Sequence, residues 1–259
     1  VVFHPVFSAD GSRLAFGFAS AREAIQTHSY EIESGELRRL TGDGPFPGAE
    51  PELHRFASFD GEQIPVFLFE PAGEGPFPVV VCVHGGPESQ FQPFFSQGFG
   101  PFTQFLVSRG YAVAAPNVRG SSGYGKRYEH LDDVERRLDA VRDLAELHAW
   151  LSARPEVDAS RAVVYGRSYG GYMTLAALAF QPELWAAGIS FVGISNLVTF
   201  LENTSEYRRA AREREYGSLA HDRDVLERLS SASRIDDIRA PLFLEHGRLC
   251  RHVAERRAA

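Results

Sequence analysis

Ser168 is the residue of this chain best placed by its neighbours to do chemistry. It sits in Gly166-Arg-Ser-Tyr-Gly-Gly, after the apolar run Ala162-Val-Val-Tyr165 and before a stretch that opens Tyr172-Met-Thr-Leu-Ala-Ala. A strand, a Gly-x-Ser-x-Gly turn and a helix, in that order, make a nucleophile elbow, with the hydroxyl exposed at the carboxyl end of the strand. Gly166 and Gly170 supply the room that a strained turn and a close-packed helix need. The bare pattern is unspecific, and the competing reading is a glycine-rich turn whose serine caps the helix. The strand before and the helix after favour a nucleophile, and the chemistry would be acyl transfer through a covalent intermediate on Ser168.

Such a nucleophile needs donors for the oxyanion that its attack creates. His84-Gly-Gly-Pro87 follows the apolar run 79–83, so it belongs on the same rim as the elbow. Gly86 is the candidate for one N–H, and Tyr169, first residue of the helix after the elbow, for the other. A glycine turn needed only for packing is the alternative for Gly86. His84 reads as a hydrogen-bonding structural histidine rather than a general base, because it lies beside the oxyanion loop. The Gly-rich stretch 117–125 has neither a Gly-Lys-Ser/Thr ending nor Gly-x-Gly-x-x-Gly, so phosphate binding is rejected. Arg119 within it reads as a pin for the loop. Phe191, Val192, Ile194 and Phe200 are candidates for an apolar substrate pocket, with plain core as the equal alternative. The nine histidines form no His-x-x-x-His pair and there is no Cys-x-x-Cys, so neither a metal nor another cofactor is expected.

The elements that would position these residues follow from hydrophobic periodicity. Strands are expected at 54–58, 64–69, 79–83, 111–115, 162–165, 187–191 and 242–244, and helical stretches at 102–108, 134–153, 172–181 and 204–229. Strands followed by β-α repeats indicate a mostly parallel sheet covered by helices on both faces, with the strand-to-helix loops along one rim. With the elbow, that is the α/β-hydrolase fold. Residues 1–45 differ: a turn leads into an alternating strand up to Phe16, a second strand covers 27–32, and a third covers 37–40. They read as the last blade of a β-propeller, against a β-rich extension as the alternative. The expected domains are therefore 1–45, a terminal blade remnant, and 46–259, a catalytic domain incomplete at its carboxyl end.

Composition narrows the class further. The net charge is −7 and acids and bases are interspersed, so nucleic acid is not an expected partner. No run reaches the roughly 18 apolar residues of a membrane helix, so no membrane association is expected. Two cysteines, Cys82 in an apolar run and Cys250 near the end, suit a reducing compartment, and the cytoplasm is the expected location. The first residue is Val1 and the sole methionine is Met173, so an earlier segment, including a signal peptide, is left open.

Taken together, Phe59-Asp-Gly61, His84-Gly-Gly-Pro87, Arg119-Gly-Ser-Ser-Gly-Tyr-Gly125, Gly166 to Met173, Gly193-Ile-Ser-Asn196 and Pro241-Leu-Phe-Leu-Glu-His-Gly247 resemble the prolyl oligopeptidase family of serine peptidases, in its acylaminoacyl-peptidase and dipeptidyl-aminopeptidase branch. The resemblance covers about residues 50–247. It implies a carboxyl-terminal α/β-hydrolase behind an amino-terminal propeller, Ser168 as nucleophile, Gly86 and Tyr169 as oxyanion donors, and short or acylated peptides as substrates. The departure lies after Gly247. The family has an Asn-Asp-Pro-Arg-Val-Pro loop there, and Cys250 holds the place of its triad acid. The family's catalytic histidine lies further on, and His252 is a poor substitute. The tail 248–259 reads as a frameshift or misjoined end, so the chain as written is expected to be impaired. A carboxylesterase on the same fold, a non-catalytic binding protein and an inactive fragment stay open as alternatives.

Overall fold

The computed structural model describes residues 1–95 and 99–247. It divides into two compact units, one of Val1–Glu52, Phe67–Gly73 and Gln92–Val113, the other of Leu53–Val66, Glu74–Phe91 and Ala114–Ala259.

The first unit carries an antiparallel sheet in the order β1-β2-β3-β4, made of β1 (Val2–Phe7), β2 (Arg13–Ser20), β3 (Glu23–Glu31) and β4 (Leu37–Arg39). The turn between β1 and β2 is closed by Asp10, whose carboxylate accepts from the hydroxyls of Ser8 at 2.6 Å and Ser12 at 2.8 Å. Strand β1 was not among the expected strands. Pro5 reads as a strand breaker, but an edge strand tolerates a proline because one of its sides needs no donor. The four strands make a sheet separate from the larger, seven-stranded one. The same unit contains α1 (Phe99–Ser108), whose buried Gln104 donates to the carbonyls of Ala21 at 3.0 Å and Ala49 at 2.8 Å.

A seven-stranded sheet has the order β11-β10-β9-β7-β8-β6-β5, with β5 (Glu52–Ala57), β6 (Gln63–Phe69), β7 (Phe77–Val83), β8 (Ala112–Pro116), β9 (Val157–Arg167), β10 (Ala187–Phe191) and β11 (Leu242–Glu245). Strands β7, β9, β10 and β11 run parallel. The helices beside them are α2 (Lys126–Glu129), α3 (Arg137–Ser152), α4 (Tyr169–Phe180), α5 (Leu197–Glu202), α6 (Glu206–Tyr216) and α7 (Arg223–Leu229). This is the expected α/β-hydrolase sheet.

Register fixes the rim. Val83 lies beside Gly166, Arg167 beside Phe191, and Phe191 beside Glu245. The loops beginning at His84, Ser168, Val192 and His246 therefore leave four adjacent strand ends side by side. Helix α4 is buried through Ala179, with Gly170, Gly171, Ala176 and Ala177 allowing it to lie close to the sheet. The expected helix 204–229 is instead two helices. Gly217 separates them at φ 106°, a conformation that an L side chain rarely adopts and that ends α6. Among the described residues no helix is long and apolar enough to cross a membrane.

Candidate active site

Ser168 joins β9 to α4 at φ 59° and ψ −117°, a strained backbone for a residue with a side chain. Its amide donates to the Phe191 carbonyl at 2.9 Å, and its own carbonyl accepts from Tyr172 N at 3.0 Å in the first turn of α4. The backbone is thus held on both sides while the residue itself is exposed. The turn is possible only with glycine around it. A Cβ on Gly166 would strike the Gly170 carbonyl, and one on Gly170 would strike the Val83 carbonyl. A Cβ on Gly171 would lie 2.5 Å from Gly193 Cα.

The His84-to-Pro87 loop lies against this turn. A Cβ built on Gly85 would stand 3.6 Å from Ser168 Cβ and 3.1 Å from the Arg167 carbonyl, so the Gly85 main chain lies close beside the serine. Gly86 adopts φ +144°, and a Cβ there would press on Glu88 N at 2.9 Å. The Gly86 carbonyl accepts from Arg212 Nη1 of α6 at 3.4 Å. Tyr169 opens α4, where the first N–H groups of a helix have no partner within it. The serine, the glycine loop and the helix N-terminus are therefore brought together.

His84 is 4% exposed, with Nδ1 donating to the Gly85 carbonyl and Nε2 beside Ser121 Oγ, both at 2.8 Å. Burial lowers its pKa, so it stays neutral as a strut beneath the loop. Arg119 pins the neighbouring loop. Its guanidinium donates to Asp143 at 2.8–3.1 Å and to Asp60 at 2.9–3.0 Å, its own N–H reaches Asp143 at 3.0 Å, and it lies 4.6 Å over the Phe59 ring. Hydrogen bonds from Arg119 hold the Asp60 carboxyl below its usual range.

The four pocket candidates separate. Phe191 and Val192 are half-buried on the rim, Phe191 within 5.6 Å of the Tyr165 ring and 6.0 Å of Phe243. Ile194 and Phe200 are buried, and Phe200 meets Tyr216 edge-on at 5.4 Å. For those two the core alternative describes the placement, because α5 begins at Leu197 and turns Phe200 inward. Cys250 and His252 lie outside the described residues, and among the described residues no cluster of three or more potential ligands would hold a metal.

A second group behind the elbow was not anticipated: Asp132, Arg137 and Tyr216 meet the buried Tyr169 side chain, and Arg137 links them to Glu215. Charged residues in charged stretches read as surface, and no spacing pattern marked these as interior.

The mostly parallel sheet, with an exposed serine on a glycine-lined strand-to-helix turn beside a glycine loop, gives the chain the α/β-hydrolase fold. Residues 98–257 match the prolyl oligopeptidase family, and the chain belongs to that family. It is 30% identical over 249 residues to dipeptidyl aminopeptidase BIII of Pseudoxanthomonas mexicana, covering 89% of this chain and 35% of that protein. It is 28% identical over 168 residues to the human acylamino-acid-releasing enzyme, covering 61% of this chain and 21% of the enzyme. The chain thus spans about a third or less of the length of these relatives. Among solved structures, an acylaminoacyl peptidase of Pyrococcus horikoshii superposes with a TM-score of 0.80 at 28% identity, covering 94% of this chain and 39% of that one. A puromycin-hydrolysing peptidase of Mycobacterium tuberculosis superposes with a TM-score of 0.83 at 24% identity, over 92% and 38%.

Proposed function

We propose that this chain is the catalytic part of a serine peptidase that cleaves short or acylated peptides through an acyl-enzyme on Ser168. The observation that carries the reading is the exposed Ser168, at φ 59° on its glycine-lined turn with the Gly85 main chain packed against it. In the reaction the Ser168 Oγ–H bond breaks, its proton passes to a general base, and Oγ bonds to the scissile carbonyl carbon. The N–H groups of Gly86 and Tyr169 hold the oxyanion, the amine leaves with the proton, and water then releases the acyl group. Phe191 and Val192 are the proposed apolar contacts for the substrate side chain. Residues 1–45 are proposed to be the blade adjoining a propeller, and the names of the relatives support peptides as the substrate class. Free Cys82, whose buried thiol is pushed far up, fits a cytoplasmic location as part of the same proposal.

Within this reading the 259 residues alone turn over poorly, since Cys250 stands where the family pattern has the acid. Hydrolysis of aminoacyl and acyl-peptide chromogenic substrates by the full-length protein is the test. Ser168→Ala should lower kcat by several orders of magnitude while the fold stays intact by circular dichroism. Turnover retained in that variant would remove Ser168 as nucleophile, and turnover of esters without peptides would assign a carboxylesterase instead.

A further inference from the structure

The group behind the elbow is expensive. Asp132, Arg137 and Tyr169 are each 0% exposed, Glu215 5% and Tyr216 1%. Arg137 pairs with Asp132 and, at 3.1 Å, with Glu215, and it also donates to the Glu215 carbonyl at 2.8 Å. The Tyr169 hydroxyl donates to Asp132 Oδ2 at 3.0 Å and accepts from Arg137 Nη1 at 3.3 Å. One buried guanidinium thus faces two buried carboxylates. Among the described residues Asp132 Oδ1, Arg137 Nε, Glu215 Oε2 and the Tyr216 hydroxyl have no hydrogen-bond partner, and Glu215 Oε1 meets Arg137 as an ion pair without an aligned hydrogen bond. Apolar residues of similar volume would serve stability at least as well, so packing alone gives no reason for this set.

What distinguishes it is its place. Tyr169 is the first residue of α4, and its side chain is anchored at one end by Asp132 while its backbone carries an N–H of the oxyanion pair. The other N–H belongs to Gly86, whose carbonyl is held by Arg212 of α6, and the end of α6 is held in turn by Arg137 on the Glu215 carbonyl. Both donors are therefore tied to one framework built on Arg137.

We infer that Asp132, clamped by Arg137, is a positioning residue that fixes Tyr169 and so aims the Tyr169 N–H at the oxyanion formed when Ser168 attacks. The inference rests on the serine-peptidase reading above. An ionised Asp132 accepts from the Tyr169 hydroxyl and from Arg137 together. Protonation weakens both bonds and frees the first residue of α4 to shift, and a displacement approaching 1 Å at a catalytic group costs about a hundredfold in rate.

The charge state of the cluster changes in an accessible range. Burial pushes Asp132 up to about 6, with Arg137 and Tyr169 opposing and Asp133 adding to the rise. Burial pushes Glu215 up to about 7, with Arg137 and Arg212 opposing and Asp132 and Glu88 adding. Burial and the Asp132 charge push the Tyr169 phenol well up, so it remains a donor throughout. Tyr172 and Tyr216, the other titratable groups facing the cluster, also have phenols raised by burial and stay neutral.

The test has two readouts. In the full-length protein, Asp132→Asn and Tyr169→Phe should each lower kcat about tenfold to a hundredfold with KM little changed, because an aimed donor acts on the transition state alone. Tyr169→Phe keeps the ring and the N–H, so it decides the matter should Asp132→Asn fail to fold. In the 259-residue chain labelled with 15N-tyrosine, carrying Ser168→Ala, the Tyr169 amide resonance should move between about pH 6 and 7, and Asp132→Asn should abolish that movement. Full kcat in both variants, or a Tyr169 amide that titrates identically without Asp132, overturns the inference. Undiminished turnover in Ser168→Ala overturns the functional reading instead, whatever the resonance does.

Discussion

At Ser168 the chain accepts a backbone that costs on the order of 1–3 kcal/mol, and the bonds to Phe191 and Tyr172 on either side hold it there. The residue that does most to keep the neighbouring loop in place is Arg119. Its fork spans two carboxylates: Asp60, whose side chain is 42% exposed, and Asp143, which is fully buried. A lysine has one compact charge and no fork, so it cannot satisfy both acids. Arg119→Lys would leave Asp143 short of the guanidinium inside the protein, with Ser58 Oγ at 2.6 Å and the residue-119 amide at 3.0 Å as its remaining donors. Breaking a buried pair in this way costs about 3 kcal/mol. Urea unfolding of the variant should show that loss, and a midpoint unchanged from wild type would mean that the loop is held by its other contacts.

At the scale of elements, the elbow is a meeting of β7, β9 and α4 through main chain alone. Gly170→Ala puts a methyl group into the Val83 carbonyl, which is backbone in the middle of the sheet and cannot swing aside. The expected cost is about 2–3 kcal/mol, the upper range for overpacking, with Ser168 displaced as the helix is pushed outward. Thermal unfolding that matches wild type would show that α4 is less tightly docked than these contacts imply. That this junction was legible before any coordinates is due to its chemistry. A turn with no room for side chains must be written in glycine, and glycine between an apolar run and a helical run is visible in a sequence. The same holds for the parallel strands, whose apolar runs located β10 at 187–191 and β7 within two residues of its observed start. The misses have equally physical causes. Strand β1 contains Pro5, which only the edge position excuses. The break between α6 and α7 depends on one glycine in a charged stretch whose periodicity is helical on both sides. Ile194 and Phe200 fell on the rim in sequence, yet the turn into α5 sends them inward. Asp132, Arg137 and Glu215 were illegible because what buries the Asp132–Arg137 pair, Tyr169 and the end of α6, lies far away in the chain.

At the scale of the molecule, that buried cluster should tilt stability against pH. The ordinary values for its two acids are 3.8 and 4.5, and in the folded protein burial pushes Asp132 up to about 6 and Glu215 up to about 7. Asp143 is raised as well, again by burial. Between the ordinary and the folded values the native state holds more protons than the unfolded chain, so stability falls as pH rises across that interval. The contribution is complete below about pH 4 and is lost by about pH 7. The lowered carboxyls, Asp60 by its Arg119 bonds, Asp10 to about 2 by the Ser8 hydroxyl and Asp158 by the Ser160 hydroxyl, act with the opposite sign, but only in the acid range below their ordinary value of 3.8. The melting temperature should therefore peak near pH 4 and be lower at pH 8 than at pH 5. Each tenfold change in proton affinity is worth about 1.4 kcal/mol. The decline from the two acids is then on the order of 2–4 kcal/mol, or roughly 5–10 °C for a chain of this size. Glu215→Gln removes one of the two raised acids while keeping its volume, so it should flatten the decline and raise the melting temperature at pH 8. Scanning calorimetry of both proteins at pH 5 and pH 8, at constant ionic strength, measures this. A wild type at least as stable at pH 8 as at pH 5 would mean that the two carboxylates are ionised inside the protein at little cost, with Arg137 compensating both.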